Sequence, residues 1–238
     1  MRENGAPPTV VAVHGAGGGG WEWGIWARVL AVHGFGVIAP DLKPSSAGID
    51  KTSFLDYRAQ VMDWCAAAGA GLILAGASLG GLLALAVAPR VRPAAMILVN
   101  PLPPAGVIAR PLYDTRPAIV PWGRERSLAA TRRAMPDADD AARLYALRRW
   151  RDESGAVLNE ARDGVAVELT HCPTLLLAGE HDADVPAVAS RSLAVRLSAD
   201  FRQVPGASHV GPLLGRSAAD TAATAAAWLA AHAPGPDV

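Results

Sequence analysis

Three short stretches carry residues suited to nucleophilic chemistry. Gly71–Gly81 reads GLILAGASLGG and continues into Leu82-Leu83-Ala84-Leu85. An apolar run passes through Gly76-Ala77-Ser78-Leu79-Gly80 into a second apolar run, so a buried strand turns sharply into a helix with Ser78 at the apex. Glycines on both sides let strand and helix close around a strained residue. The plain alternative is that Ser78 only caps a helix. The second stretch, Gly179-Glu180-His181-Asp182-Ala183-Asp184-Val185-Pro186, supplies acids, and the third, Ser208-His209 within Pro205–Pro212, supplies an imidazole. A serine hydroxyl is a weak nucleophile until a neutral imidazole takes its proton. A carboxylate must then hold the imidazole's tautomer and stabilise the imidazolium. Asp182, three residues after Gly179 and four before Pro186, is the favoured acid, with Asp184 and Glu180 as competitors.

The run His14-Gly15-Ala16-Gly17-Gly18-Gly19-Gly20 allows three readings. As G-x-G-x-x-G between a strand and a helix, with Asp41 beyond a second strand, it matches a dinucleotide fingerprint. Five glycines in six positions match many glycine patterns by chance, however, and Trp21-Glu22-Trp23 is too bulky for close helix–strand packing. As an HG-type turn it offers backbone N–H groups to an oxyanion, and this reading is preferred. As a plain loop it is only tight. A phosphate loop is excluded, because no lysine follows Gly20.

These stretches need elements to position them. Thr9–Val13 and Leu72–Ala75 read as buried strands, and Gly36–Pro40, Ala95–Val99, Thr174–Ala178 and Phe201–Val204 as further strands. Helices are expected over Trp21–His33, from a cap at Thr52 or Ser53 through Ala68, after Ser78 until Pro89 stops it, around Val188–Leu197, and over Leu213–His232. Alternating strands and helices predict an α/β fold with a mostly parallel, doubly wound sheet. Strand-end loops in such a sheet gather at one edge, where ligands bind. The rhythm breaks between 101 and 171, where seven prolines precede charged amphipathic pieces, so a helical insertion is expected there. Residues 1–100 and 172–238 then form the core. The tail Pro234–Val238 is expected to fray.

Lys+Arg and Asp+Glu both count 22, which argues against nucleic acid or an anionic membrane as partner. A 51% hydrophobic fraction with 18% charge marks a globular chain. The N-terminus shows no apolar signal segment, no stretch is long enough to span a membrane, and two cysteines imply no disulfide framework, so a cytoplasmic location is expected. His33, His171 and His232 are scattered and form no metal cluster. No metal or other cofactor is expected. The oligomeric state is left open, with a homodimer as one option.

The chain resembles the α/β-hydrolase superfamily through His14-Gly15-Ala16, Gly76-Ala77-Ser78-Leu79-Gly80-Gly81, the acid loop at Asp182 and Ser208-His209. The opening HGAGGGGWEWGIW, with VIAPDL after it, is similar to the compact methylesterase and hydroxynitrile lyase branch. The resemblance implies Ser78 as nucleophile, His209 as general base, Asp182 as orienting acid, and the N–H groups of Ala16 and Leu79 as oxyanion donors. It implies a serine hydrolase acting on a small, mainly apolar ester, thioester or lactone. Trp21, Trp122 and Trp150 are the substrate-binding candidates. Two alternatives remain: a lyase, cyclase or decarboxylating enzyme on the same fold, and a ligand-binding receptor on the same scaffold. Lys43 and Lys51 are the only lysines and neither lies in the insertion, which disfavours the lyase route through a cap lysine.

Overall fold

Short apolar runs become the strands of a central sheet, and the segments between them become helices on its two faces. The structure, a computed structural model, describes residues 8–69, 71–109 and 111–233; residues 234–238, expected to fray, lie outside these. In chain order the core runs β1 (Thr9–Val13), α1 (Gly24–Val32), β2 (Gly36–Ile38), α2 (Phe54–Ala68), β3 (Ile73–Ala77), α3 (Leu79–Val91) and β4 (Ala95–Val99). The insertion follows with β5 (Ile119–Val120), α4 (Leu128–Ala134), α5 (Asp140–Leu147), β6 (Glu153–Ser154) and α6 (Gly155–Asp163). The core closes with β7 (Thr174–Gly179), α7 (Ala187–Leu197), β8 (Asp200–Val204), α8 (Gly211–Leu214) and α9 (Ala218–His232).

Six strands pair in the order β2-β1-β3-β4-β7-β8, all parallel. Successive residues face opposite sides; in β1, β3, β4 and β7 nearly all are buried on both, while the edge strands β2 and β8 are largely open. Val11, Val13, Leu74 and Leu98 pack under α2, α3 and α7, while Val10, Ala12, Ile73 and Ile97 pack under α1 and α9. The strand order reverses between β1 and β3, which opens a crevice at the carboxyl ends of those two strands. Register does the rest. Val13 stands opposite Gly76, Ala77 opposite Val99, and Gly179 opposite Val204. The loops after β1, β3, β4, β7 and β8 therefore leave the sheet at one edge.

Four elements depart from the sequence expectation. The helix expected from Trp21 starts as a 3-10 turn, Gly20–Trp23, before α1, with Trp23 and Trp26 both buried. Pro89 does not stop α3, which continues to Val91. In the last turn proline removes only one backbone bond, and the helix ends at Arg92 in the left-handed region, whose N–H reaches Ala88 O. The expected final helix is two, α8 and α9, broken at Gly215 where a Cβ would meet Asp137 Oδ2 at 2.6 Å. The antiparallel β5–β6 ribbon was not expected, because two-residue strands carry no periodic signal.

Candidate active site

The elbow after β3 is held by sterics and backbone bonds. Ser78 has φ 51 and ψ −119, a conformation costly for a residue with a Cβ, and its hydroxyl makes no cap hydrogen bond to α3. Ser78 N–H donates to Val99 O at 3.0 Å, and Ser78 O accepts from Leu102 N at 3.0 Å. The flanking glycines are sterically required. A Cβ on Gly76 would lie 2.3 Å from Gly80 O, and one on Gly80 would lie 2.2 Å from Val13 O. Leu79 opens α3, so its N–H is one of the donors a helix start leaves without an internal partner.

The glycine loop after β1 lies against this elbow: a Cβ on Gly15 would sit 3.4 Å from Ser78 Cβ. Its N–H groups are mostly taken. Gly15 N donates to Glu22 Oε2 (3.1 Å), Gly17 N to Glu153 Oε2 (2.9 Å), Gly18 N to Gly15 O (3.3 Å) and Gly20 N to Asp41 Oδ1 (2.8 Å). Ala16, between the two that meet buried glutamates, keeps its N–H free of any partner among the described residues. The dinucleotide reading loses its support here, because carboxylates already fill the cradle a pyrophosphate would need. Asp41, the candidate ribose acid, instead holds Gly20 and pairs with Arg151 (3.4 Å).

The insertion grips this loop. Arg151 N donates to Gly17 O (2.8 Å) and its Nε to Gly18 O (2.6 Å). Glu153, buried, also accepts from Tyr57 Oη (2.8 Å) and Ser154 N (2.7 Å) through Oε1. Trp122 lies over Gly17, whose φ is 67 and where a Cβ would meet the indole at 2.5 Å. His14 accepts from Leu42 N through Nε2 (2.9 Å), so Nδ1 carries the proton donated to Gly15 O (2.7 Å). Burial lowers its pKa to about 4 against the Gly15 bond, with Arg151 adding to the drop, so His14 is a neutral strut of the turn. Burial also raises the Glu22 pKa to about 8, against the pull of the Gly15 N–H.

The acid and imidazole loops meet beyond β7 and β8. His209 Nδ1 lies 2.8 Å from Asp182 Oδ2, and the two side chains are 12% and 1% exposed. Asp182 Oδ1 accepts from the N–H groups of Asp184 and Val185, each at 2.8 Å, which fixes the carboxylate in its loop. Of the three competing acids, Asp182 alone bonds the imidazole; Glu180 accepts from Gly206 N instead. Burial draws the His209 pKa down, but the hydrogen bond and charge of Asp182, with Asp184 beyond, more than offset it and leave the value raised. Glu22, uncharged until about pH 8, adds little to that at neutral pH. His209 Nε2 has no partner among the described residues.

A cavity of about 610 Å³ brings these parts together. Ala16, Ser78 and His209 border it from the core, and Trp122 and Trp150 from the insertion. Trp21 does not border it; its ring packs edge-on against Trp150 (5.4 Å) and Tyr145 (5.7 Å) behind the wall. Three residues that fix the site have no sequence signal of their own. Asn100, at φ 44, donates to His209 O (2.6 Å) and accepts from Gly179 N (2.7 Å), tying β4 to both loops. Asp137 accepts from Ser208 Oγ (2.6 Å) and N (3.1 Å), so the insertion also pins the imidazole loop. Glu153 is the third. The proline after Asn100 and the glycines Gly211 and Gly215, both crowded against Asp137, are their only indirect traces in the sequence.

The sequence profile of the Alpha/beta hydrolase family matches residues 10–227. Comparison with curated proteins gives no match. Solved structures with this fold include a pyrethroid hydrolase from Sphingobium faniae JZ-2, 20% identical with TM-score 0.68, covering 96% of this chain and 98% of that one. A monoacylglycerol lipase of Paleococcus ferrophilus is 21% identical with TM-score 0.67, covering 96% of each chain. Polyneuridine aldehyde esterase is 17% identical with TM-score 0.67, covering 92% and 99%.

Proposed function

The chain belongs to the alpha/beta hydrolase family, and on that premise we propose that it cleaves a small, mainly apolar carboxylic ester, or a related thioester or lactone, through an acyl-enzyme on Ser78. The observation that carries this reading is the pairing of a strained serine with an imidazole bonded to a buried carboxylate, both bordering one cavity. His209 Nε2 takes the Ser78 proton as Oγ attacks the carbonyl carbon, while Asp182 stabilises the imidazolium through Nδ1. The oxyanion is received by the N–H groups of Ala16 and Leu79, each donor being worth about 3 kcal/mol of barrier. His209 then protonates the departing alcohol, and a water activated by the same imidazole releases the acid. The hydrolase, lipase and esterase names of the similar structures support ester cleavage as the reaction class.

The test is labelling and turnover together. A fluorophosphonate probe should modify Ser78, and Ser78→Ala should abolish both that labelling and the hydrolysis of p-nitrophenyl acetate. Hydrolysis that survives in the alanine variant overturns the reading.

A further inference from the structure

Resting on that reading, we propose that the substrate also carries a carboxylate, and that Arg116 binds it on the wall of the Ser78 cavity. Arg116 borders the same cavity as Ser78 and His209. Its backbone is clamped on both sides by one side chain: Arg116 N donates to Asn159 Oδ1 (2.8 Å), and Asn159 Nδ2 donates to Arg116 O (3.0 Å). The guanidinium lies over the Tyr113 ring, 5.2 Å from its centroid, and Tyr113 is itself fixed by its hydroxyl to Leu158 O (2.9 Å).

A positioned guanidinium would normally be satisfied, and this one is not. Its Nε is buried with no hydrogen-bond partner, and no carboxylate of the described residues pairs with it. Other insertion arginines are engaged. Arg124 pairs with Asp152 at 2.6 Å, and Arg143 pairs with Asp140 and donates to the carbonyls of Met135 and Pro136. Arg126, the second arginine on the cavity, donates to Gly123 O at 2.7 Å. Arg133 and Arg148 have no partner among the described residues but are exposed, so water serves them. Arg116 is half-buried beside Leu112, Val120 and Leu158 on the cavity wall. A buried donor without an acceptor is unfavourable. An anion entering the cavity supplies the acceptor, and the planar fork of a guanidinium matches a carboxylate with two parallel bonds. Glu125 and Asp184 also border the cavity, but among the described residues neither pairs with either arginine.

Two pairs of esters test this, because the carboxylate can sit on either side of the scissile bond. The first is benzyl hydrogen adipate against benzyl hexanoate; the second is 4-carboxybenzyl butyrate against benzyl butyrate. In at least one pair kcat/KM should favour the charged ester by ~tenfold or more. Arg116→Met should collapse that ratio towards unity, and Arg116→Lys should leave an intermediate ratio. Equal rates within both pairs, or a preference that persists in Arg116→Met, overturns the proposal. Calorimetry of the two charged esters with Ser78→Ala protein separates this subsite from the hydrolase reading. Binding that needs Arg116, without turnover by the unmodified protein, upholds the subsite and removes the hydrolase.

Discussion

Ser78 and the glycine loop at residues 15–20 stand side by side at the ends of neighbouring strands, yet they are held by opposite means. The elbow is fixed from within. Gly76 and Gly80 close on backbone atoms of their own turn and of β1, and the Ser78 backbone bonds to Gly81 and Leu82 of α3 and to Val99 and Leu102 around the end of β4. The glycine loop is crowded too, Gly20 against Ala39 O and Gly17 against the Trp122 indole, but by neighbours outside its own turn. Its N–H groups are caught by carboxylates, and the one that most directly frames Ala16 belongs to Glu153, 136 residues away in the insertion. The proposed nucleophile therefore belongs to the core, while the loop proposed to receive the oxyanion is shared between core and insertion. A change in the roof of the site reaches the glycine-loop N–H groups without passing through Ser78.

The largest effect should come from crowding the elbow. Gly80→Ala puts a Cβ 2.2 Å from Val13 O and 2.5 Å from His14 O, both backbone, so neither neighbour can swing aside. Strand β1 and the elbow must part, which displaces Ser78 and the glycine loop together. Displacement of this kind typically lowers kcat by ~100-fold or more, and overpacking destabilises by about 1–3 kcal/mol. Ester kinetics and urea denaturation measure both. A variant with near-normal kcat would show that the elbow is not sterically locked.

That contrast also explains what was legible in the sequence. The elbow could be read because its causes are local: a five-residue pattern states both the turn and the reason for its glycines. Most strands could be read because each is a short apolar run; β8, DFRQV, is not, and only the alternation of strands and helices places it. Asp182 could be favoured over Asp184 and Glu180 but not fixed, since the choice depends on which carboxylate the folded loop turns toward His209. Asn100, Asp137 and Glu153 were not legible at all. Each is a single polar residue in an unremarkable context, and its role exists only once folding brings distant loops together. Trp21 shows the reverse failure. An aromatic residue next to the glycine loop resembles a pocket wall, but its ring is spent on packing core against insertion.

Removing the long-range anchor should have an intermediate effect. Glu153→Ala strips the acceptor from Gly17 N and from Tyr57 Oη, and an orphaned buried donor costs about 1–3 kcal/mol. The loss should fall on kcat, by roughly 5- to 100-fold, with KM less affected, because the oxyanion is bound more strongly in the transition state than in the ground state. Glu153→Gln keeps a carbonyl acceptor for Gly17 and should recover part of kcat. If Glu153→Ala retains kcat within about twofold, the loop is held as locally as the elbow and the distinction between them fails.

The smallest change in turnover should come from Glu22, the anchor nearest in sequence, whose signature is in stability instead. Its pKa rises on folding from 4.5 to about 8, chiefly through burial. Between those values the unfolded chain releases this proton while the folded protein keeps it, so Glu22 makes stability fall as pH rises. Glu22→Gln imitates the uncharged acid, and its carbonyl oxygen can still accept from Gly15 N. Urea denaturation at pH 5 and pH 8 should find the variant close to the parent at the lower pH and more stable, by an amount on the order of a few kcal/mol, at the higher. A parallel pH dependence in the two proteins would mean that Glu22 ionises freely in the fold. The Gly15 N–H would then face a charged carboxylate beside Ser78, and the loop's anchoring would depend on salt and pH in a way the sterically locked elbow does not.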